Sequence, residues 1–140
     1  MAKAGVLVFV LVLLLFSTVP MPASAEDSGG VQASSSTVTI MAPGGTPTEG
    51  GTVTIRLTLW NDNTELAEDV LYKFYWNGVQ PSKLMVADTT DIPGQNSVDI
   101  DVDKSGLTVG EHKVWFVFDY NGAGEQMFYK EFTVFGRADI

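Results

Sequence analysis

The nine residues Thr52-Val-Thr-Ile-Arg-Leu-Thr-Leu-Trp60 constrain this chain more than any other stretch. Val53, Ile55, Leu57 and Leu59 fall on one side of a period of two, and Thr52, Thr54, Arg56, Thr58 and Trp60 fall on the other. A helix would scatter these residues around its whole circumference. A strand sorts them into one buried and one wet face. Further strand-like runs lie upstream, in Thr37 to Met41, and downstream, in Asp69 to Asn77, which is apolar on both sides as a mid-sheet strand would be, and in Lys83 to Ala87, Gln95 to Val102, Glu111 to Tyr120 and Gln126 to Phe135. Turn chemistry punctuates the runs: Pro43-Gly44-Gly45, Asn77-Gly78, Asp88 to Gly94 and Asn121-Gly122. After residue 25 no helical spacing is sustained, although Thr64 to Glu68 could form a single turn. The expectation is an all-β fold, a single immunoglobulin-like antiparallel sandwich of about seven strands over residues 37–140, preceded by a helical signal peptide.

The first residues follow a different rule. Lys3 precedes an unbroken apolar run from Val6 to Phe16, and Pro20, Pro22 and the small residues Ala23-Ser24-Ala25 follow it. That order is a signal peptide over 1–25, cut after Ala25. The run is short of the roughly 20 residues a membrane span needs, and the prolines interrupt it where a span would continue. A secreted or cell-surface location is expected, with no membrane span once the leader is gone. Residues 26–36 are small and polar and read as a flexible lead-in.

Three of these stretches resemble one family. Gly51-Thr-Val-Thr-Ile-Arg-Leu-Thr-Leu-Trp-Asn61, Tyr75-Trp76-Asn77-Gly78 and Val109-Gly110-Glu-His-Lys-Val-Trp-Phe-Val-Phe-Asp119 are similar to the CARDB domains, the cell-adhesion-related domains of prokaryotic exported proteins. The resemblance runs from about Thr46 to Phe135. It implies an immunoglobulin-like sandwich in a bacterial or archaeal surface protein. Where the family continues with an acidic, asparagine-rich ending after the Asp119 position, this chain has Tyr120-Asn-Gly-Ala-Gly-Glu125.

Little in the sequence carries reaction chemistry. With 17 acids against 8 bases the net charge is −9, which sets a nucleic-acid partner aside. The chain has no cysteine, so disulfides, thiol catalysis and cysteine metal sites are excluded. Its one histidine, His112, sits at a strand start with no Gly-x-Ser-x-Gly elbow anywhere to pair with it. Asp99, Asp101 and Asp103 open like a calcium loop, but the sixth and twelfth positions hold Lys104 and Gly110 in place of glycine and glutamate. They alternate with Val98, Ile100 and Val102 as a strand face would. Asn61-Asp62-Asn63 with Glu65 is the remaining calcium candidate. No catalytic residue, cofactor or metal is expected, and the chain does not read as an enzyme.

The informative residues are aromatic. If Phe74, Val114, Phe116, Phe128, Phe132 and Val134 fill the core, the period of two sends Tyr75, Trp115, Val117, Met127 and Tyr129 outward on strands that neighbour one another in such a fold. Lys130 falls on the inward parity, which raises a bulge or an edge position for the last strand. A continuous apolar face of this kind marks a contact site. The expected function is non-catalytic protein contact at the cell surface, by an adhesive or structural subunit, with a protein partner or by self-association. The alternative is a carbohydrate-binding module that stacks sugars on the same rings. A further role, strand addition to a neighbour through Val38 and Ile40, is open to the N-terminal segment.

Overall fold

The computed structural model describes residues 25–137. All but the last residue of the expected leader therefore lies outside the described residues. The described residues form nine strands: β1 (Glu26–Ser28), β2 (Val31–Ala33), β3 (Val38–Met41), β4 (Val53–Asn61), β5 (Ala67–Trp76), β6 (Leu84–Ile92), β7 (Asn96–Lys104), β8 (Gly110–Asp119) and β9 (Gln126–Val134). The helical content among the described residues is confined to single 3-10 turns, and none is long and apolar enough to cross a membrane.

Every strand pairing is antiparallel, and the strands divide into two sheets. In the first, β4 is the centre. β7 pairs with its whole length, from Val53 opposite Lys104 to Asn61 opposite Asn96. Its other flank is shared by β2, which pairs at Trp60 and Asn61, and β3, which pairs from Thr54 to Leu57. The second sheet has the order β6-β5-β8-β9. The result is the all-β immunoglobulin-like sandwich expected from the period of two.

The inner faces close on each other. Ile55, Leu57 and Leu59 from β4 are fully buried, as are Phe74 from β5 and Phe116 and Phe118 from β8. Phe74 meets Phe116 edge to face at 5.0 Å, and Phe116 stacks on Phe128 at 5.2 Å. Asn61 continues the inward parity of β4 and is 0% exposed, so its amide needs partners inside. It finds them: Nδ2 donates to the carbonyls of Glu65 and Ile92, each at 2.9 Å, and Oδ1 accepts from the Asn63 amide at 2.9 Å. One side chain thus pins the β4–β5 loop to the end of β6.

The structure corrects three expectations. Residues 26–36 are ordered as a β1–β2 hairpin and a 3-10 turn over Ser35–Thr37, not a flexible lead-in. Gly29 and Gly30, at φ 58° and 91°, supply the left-handed backbone the tight hairpin turn requires. Val31 and Ala33 are fully buried. Two small apolar residues are enough here because the edge of β4 already offers the backbone hydrogen bonds.

Secondly, Val38 and Ile40 are not free to join a neighbour. They pair with Leu57 and Ile55 of their own β4, and Val38 is buried. Thirdly, β6 does not stop at Ala87 but continues through the supposed loop to Ile92. That residue is fully buried and pairs with Ala67.

The edges carry their own signature. The β8–β9 register runs from Gly110 opposite Val134 to Phe118 opposite Gln126 without a bulge, so Lys130 does point inward from the edge strand. Its Nζ donates to the Ser35 carbonyl at 3.2 Å, across the side of the sandwich. Lys104 does the same on the edge strand β7, with Nζ 5.3 Å from the centre of the Trp76 ring. Register shifts interrupt the β5–β6 ladder between Ala67 and Val70 and between Phe74 and Tyr75. Inward lysines and bulges are the features that discourage strands of another molecule from adding to an edge.

Candidate functional site

The outer face of the four-stranded sheet is built by register. Leu84, Tyr75, Trp115 and Tyr129 pair in sequence across β6, β5, β8 and β9, so one row of side chains spans the sheet. The adjacent row is Ala87, Lys73, Val117 and Met127. The side chains expected to share a face, Tyr75, Trp115, Val117, Met127 and Tyr129, are therefore brought together in two neighbouring rows. Met127 is 50% exposed, Leu84 42% and Tyr129 40%, while Tyr75 and Trp115 are half-buried by their neighbours.

Val117 differs from its companions. It has the outward parity but is only 5% exposed. It sits on an inner strand in register between Lys73 and Met127, with Trp115 and Asp119 two residues away on its own strand, and such long neighbours close over a short branched side chain. It belongs to the floor of the face, not to its accessible surface.

The rings do not lie flat. Trp115 and Tyr129 approach to 4.8 Å with their planes at 49°. Lys113 Nζ lies 4.6 Å from the Tyr129 ring centre and 3.8 Å from Glu131 Oε2. Lys73, by contrast, has no hydrogen bond or ion pair from its side chain among the described residues, although Leu71, Tyr75, Ala87 and Val117 surround its position. Lys73 is not among the residues expected on this face, although the parity it shares with Tyr75 is the signal in the sequence that places it there. Leu84 was hidden by the register shift between Phe74 and Tyr75, which the period alone does not reveal.

Beyond Trp115 the face dips into an open depression that reaches Glu111, Glu131 and Asn77, with His112 beneath it. The histidine is 7% exposed and both ring nitrogens are engaged. Asn77 Oδ1 accepts from the Lys113 amide at 2.8 Å, which turns its NH2 group towards His112 Nδ1, also at 2.8 Å. Nδ1 is then the acceptor, and Nε2 donates to the Thr108 carbonyl at 2.7 Å. Trp76 stacks on the imidazole at 5.0 Å and 25°. This histidine is a structural clamp at the end of the core.

The outer face of the other sheet has the opposite chemistry. Across the β4–β7 ladder, Thr54 donates to Asp103 at 2.6 Å, Arg56 makes two hydrogen bonds to Asp101 at 2.8 and 2.9 Å, and Thr58 donates to Asp99 at 2.7 Å. The Arg56 fork, first by hydrogen bonding and then by its charge, holds the Asp101 carboxyl below the usual carboxylate range, and Asp101 raises Arg56 in turn. Both groups are exposed. The three acids are thus a hydrogen-bonded strand face, and among the described residues no cluster of three or more His, Asp or Glu side chains could hold a metal ion. On the inner side, burial raises the Tyr72 phenol above its ordinary value, with a smaller contribution from Asp88.

No family model and no curated protein sequence matches the chain. Among solved structures, the CARDB domain of the PF1109 protein from Pyrococcus furiosus, in complex with di-metal ions, superposes with a TM-score of 0.57. It covers 72% of this chain and 93% of that one, at 12% identity. The fold is that of a CARDB domain. The Pseudomonas fluorescens alkylpurine DNA glycosylase AlkC, bound to DNA containing an abasic site analog, matches at a TM-score of 0.43, 11% identity, 72% of this chain and 30% of its own. At these identities the likeness to the CARDB domain is one of architecture. Which surface works follows from the side chains of this chain alone.

Proposed function

We propose that this chain is an exported, non-catalytic domain of CARDB-like fold that acts by protein contact at the cell surface, as an adhesive or structural subunit. The observation that carries the reading is the row Leu84, Tyr75, Trp115 and Tyr129, four large side chains in register across one sheet, with Leu84 and Tyr129 open to solvent and Tyr75 and Trp115 half-buried between them. Large rigid rings lose little entropy on docking and bury much area. Three further features support it. The leader order of Lys3, Val6 to Phe16 and Ala23-Ser24-Ala25 favours export. His112 and the acids of β7, the groups a reaction would need, are committed to internal hydrogen bonds. The 49° tilt of Trp115 to Tyr129, beside Leu84 and Met127, suits an apolar protein surface better than a flat sugar platform of coplanar rings.

The test is binding of the secreted chain, which should begin at Glu26 on N-terminal sequencing, to intact cells. Protease treatment of the cells should remove the binding. Trp115→Ser should weaken it by about 2 kcal/mol, roughly thirtyfold, with the circular dichroism unchanged. Binding that survives protease but yields to free glycans moves the assignment to carbohydrate recognition. Binding indifferent to Trp115→Ser removes this face from the function.

A further inference from the structure

We propose that the occupant of the aromatic face is a second copy of this chain, packed face to face about a two-fold axis at Trp115, with Lys73 of each copy opposite Glu131 of the other. The proposal rests on the protein-contact reading above and names its partner.

Three observations carry it. Among the described residues Lys73 has no hydrogen bond or ion pair from its side chain, and it lies in register between Ala87 and Val117; a partner that covers it must bring a carboxylate or leave a desolvated charge. The register then locates a carboxylate of the right symmetry. Lys73 lies one strand to one side of Trp115, opposite Val117, two residues up β8; Glu131, an exposed carboxylate that also lies 3.8 Å from Lys113 of its own copy, is one strand to the other side, opposite Lys113, two residues down. With strands about 4.8 Å apart and about 3.4 Å per residue, the two charges stand roughly 8 Å from Trp115 in opposite directions. A two-fold axis parallel to the sheet, lying over the Trp115 side chain and perpendicular to the line joining them, sets each lysine against the other copy's glutamate, twice per dimer. An isologous contact requires such self-complementarity. The same axis carries Tyr129 towards Val117 and Met127 of the second copy, ring against apolar floor.

The third observation is that the edge strands β6, β7 and β9 discourage the other route to assembly. Lys104 and Lys130 point inward from the edge strands β7 and β9, and the β5–β6 ladder is bulged. Along these three strands association through an edge is disfavoured relative to association through a face.

Sedimentation of the secreted full chain tests this directly. The wild type should show concentration-dependent mass that ends at a dimer. Lys73→Glu and Glu131→Lys, each folded by circular dichroism, should each weaken the dimer at least about tenfold, since each sets like charges together. An equimolar mixture of the two variants should dimerise again, because both of its cross-copy pairs are then opposite in charge, and the double variant in one chain should do likewise. A wild type that stays monomeric at its highest soluble concentration overturns the proposal, as do single variants that dimerise like the wild type or a mixture that stays monomeric. A monomer whose binding to cells is still lost on Trp115→Ser sinks the second-copy proposal and leaves the protein-contact reading standing. A dimer indifferent to Trp115→Ser sinks both.

Discussion

The two outer faces of this sandwich come from the same period of two and end in opposite chemistry. On the β4–β7 face, Thr54, Arg56 and Thr58 each meet an aspartate across the ladder, so the polar groups satisfy one another. On the β5–β8–β9 face the corresponding positions are Tyr75, Trp115, Met127 and Tyr129, with Lys73 lacking a partner among the described residues. A face already satisfied within itself gains nothing by being covered, whereas an apolar face with an unpaired cation gains area and loses a mismatch. The fold therefore supplies two outer sheet faces, and their outward side chains give them opposite chemistry.

The strongest way to break this comparison is to show that inside and outside have been exchanged on β8. Phe116 is fully buried and its neighbour Trp115 is not. Phe116→Ala should cost about 3 to 5 kcal/mol in denaturant unfolding, as large truncations in a core do. Trp115→Ser should cost less than about 1 kcal/mol in the same measurement while weakening association. Comparable losses at both positions would place Trp115 in the core and erase the contact face. Asn61→Ala comes between the two. It strips partners from the Glu65 and Ile92 carbonyls and should cost about 2 kcal/mol, with faster hydrogen exchange confined to the β4–β5 loop and the end of β6. An unchanged exchange pattern would mean that the loop is held by something else.

What the sequence makes legible is parity, and what it hides is register. Alternation in Thr52 to Trp60 and Glu111 to Tyr120 is enough to place Ile55, Leu57, Phe116 and Phe118 inside, and Trp115 opposite to them. Both follow from the two-residue repeat without knowledge of the partner strand. That Leu84 joins the row, that Lys73 and Glu131 flank Trp115 symmetrically, and that Val117 is covered all depend on which residue lies across from which. Register is set by bulges and turns such as the shift at Phe74 and Tyr75, which leave little trace in composition. The hairpin at residues 26–33 was illegible for another reason. A segment with only Val31 and Ala33 to bury cannot hold itself together, and it is ordered by the free edge of β4.

A smaller effect distinguishes the polar face. Because Arg56 depresses the Asp101 carboxyl, the pair contributes stability above the ordinary carboxylate range, and that contribution is lost as pH falls through the lower folded value. The ion pair is exposed, so the change in stability should be slight and should shrink further in salt. Titration followed by carboxyl carbon shifts should find Asp101 below ordinary aspartates, and Arg56→Met should return it towards them. An Asp101 that titrates normally in the unaltered chain would mean that the fork is open in solution, and that this face is less self-satisfied than its geometry indicates.

The smallest expected effect is none at all, on adding a chelator. The Asp99, Asp101 and Asp103 run has the spacing with which calcium loops begin, and it is the place where the polar face could turn out to be a ligand site. Its carboxylates, however, alternate with Val98, Ile100 and Val102 along a straight nine-residue strand, and each already accepts a hydrogen bond from β4. A calcium loop must instead curl around the ion, with glycine and a bidentate glutamate at positions that here hold Lys104 and Gly110. The melting temperature should therefore be the same in chelator as in millimolar calcium. A marked fall in chelator that calcium alone reverses would show that acids gathered by the loops, such as Asp62, Glu65 or Asp119, take up a metal. If the fall also vanished on Asp99→Asn with Asp101→Asn, the metal would belong to the ladder itself, and the contrast between a satisfied face and an unsatisfied one would no longer hold.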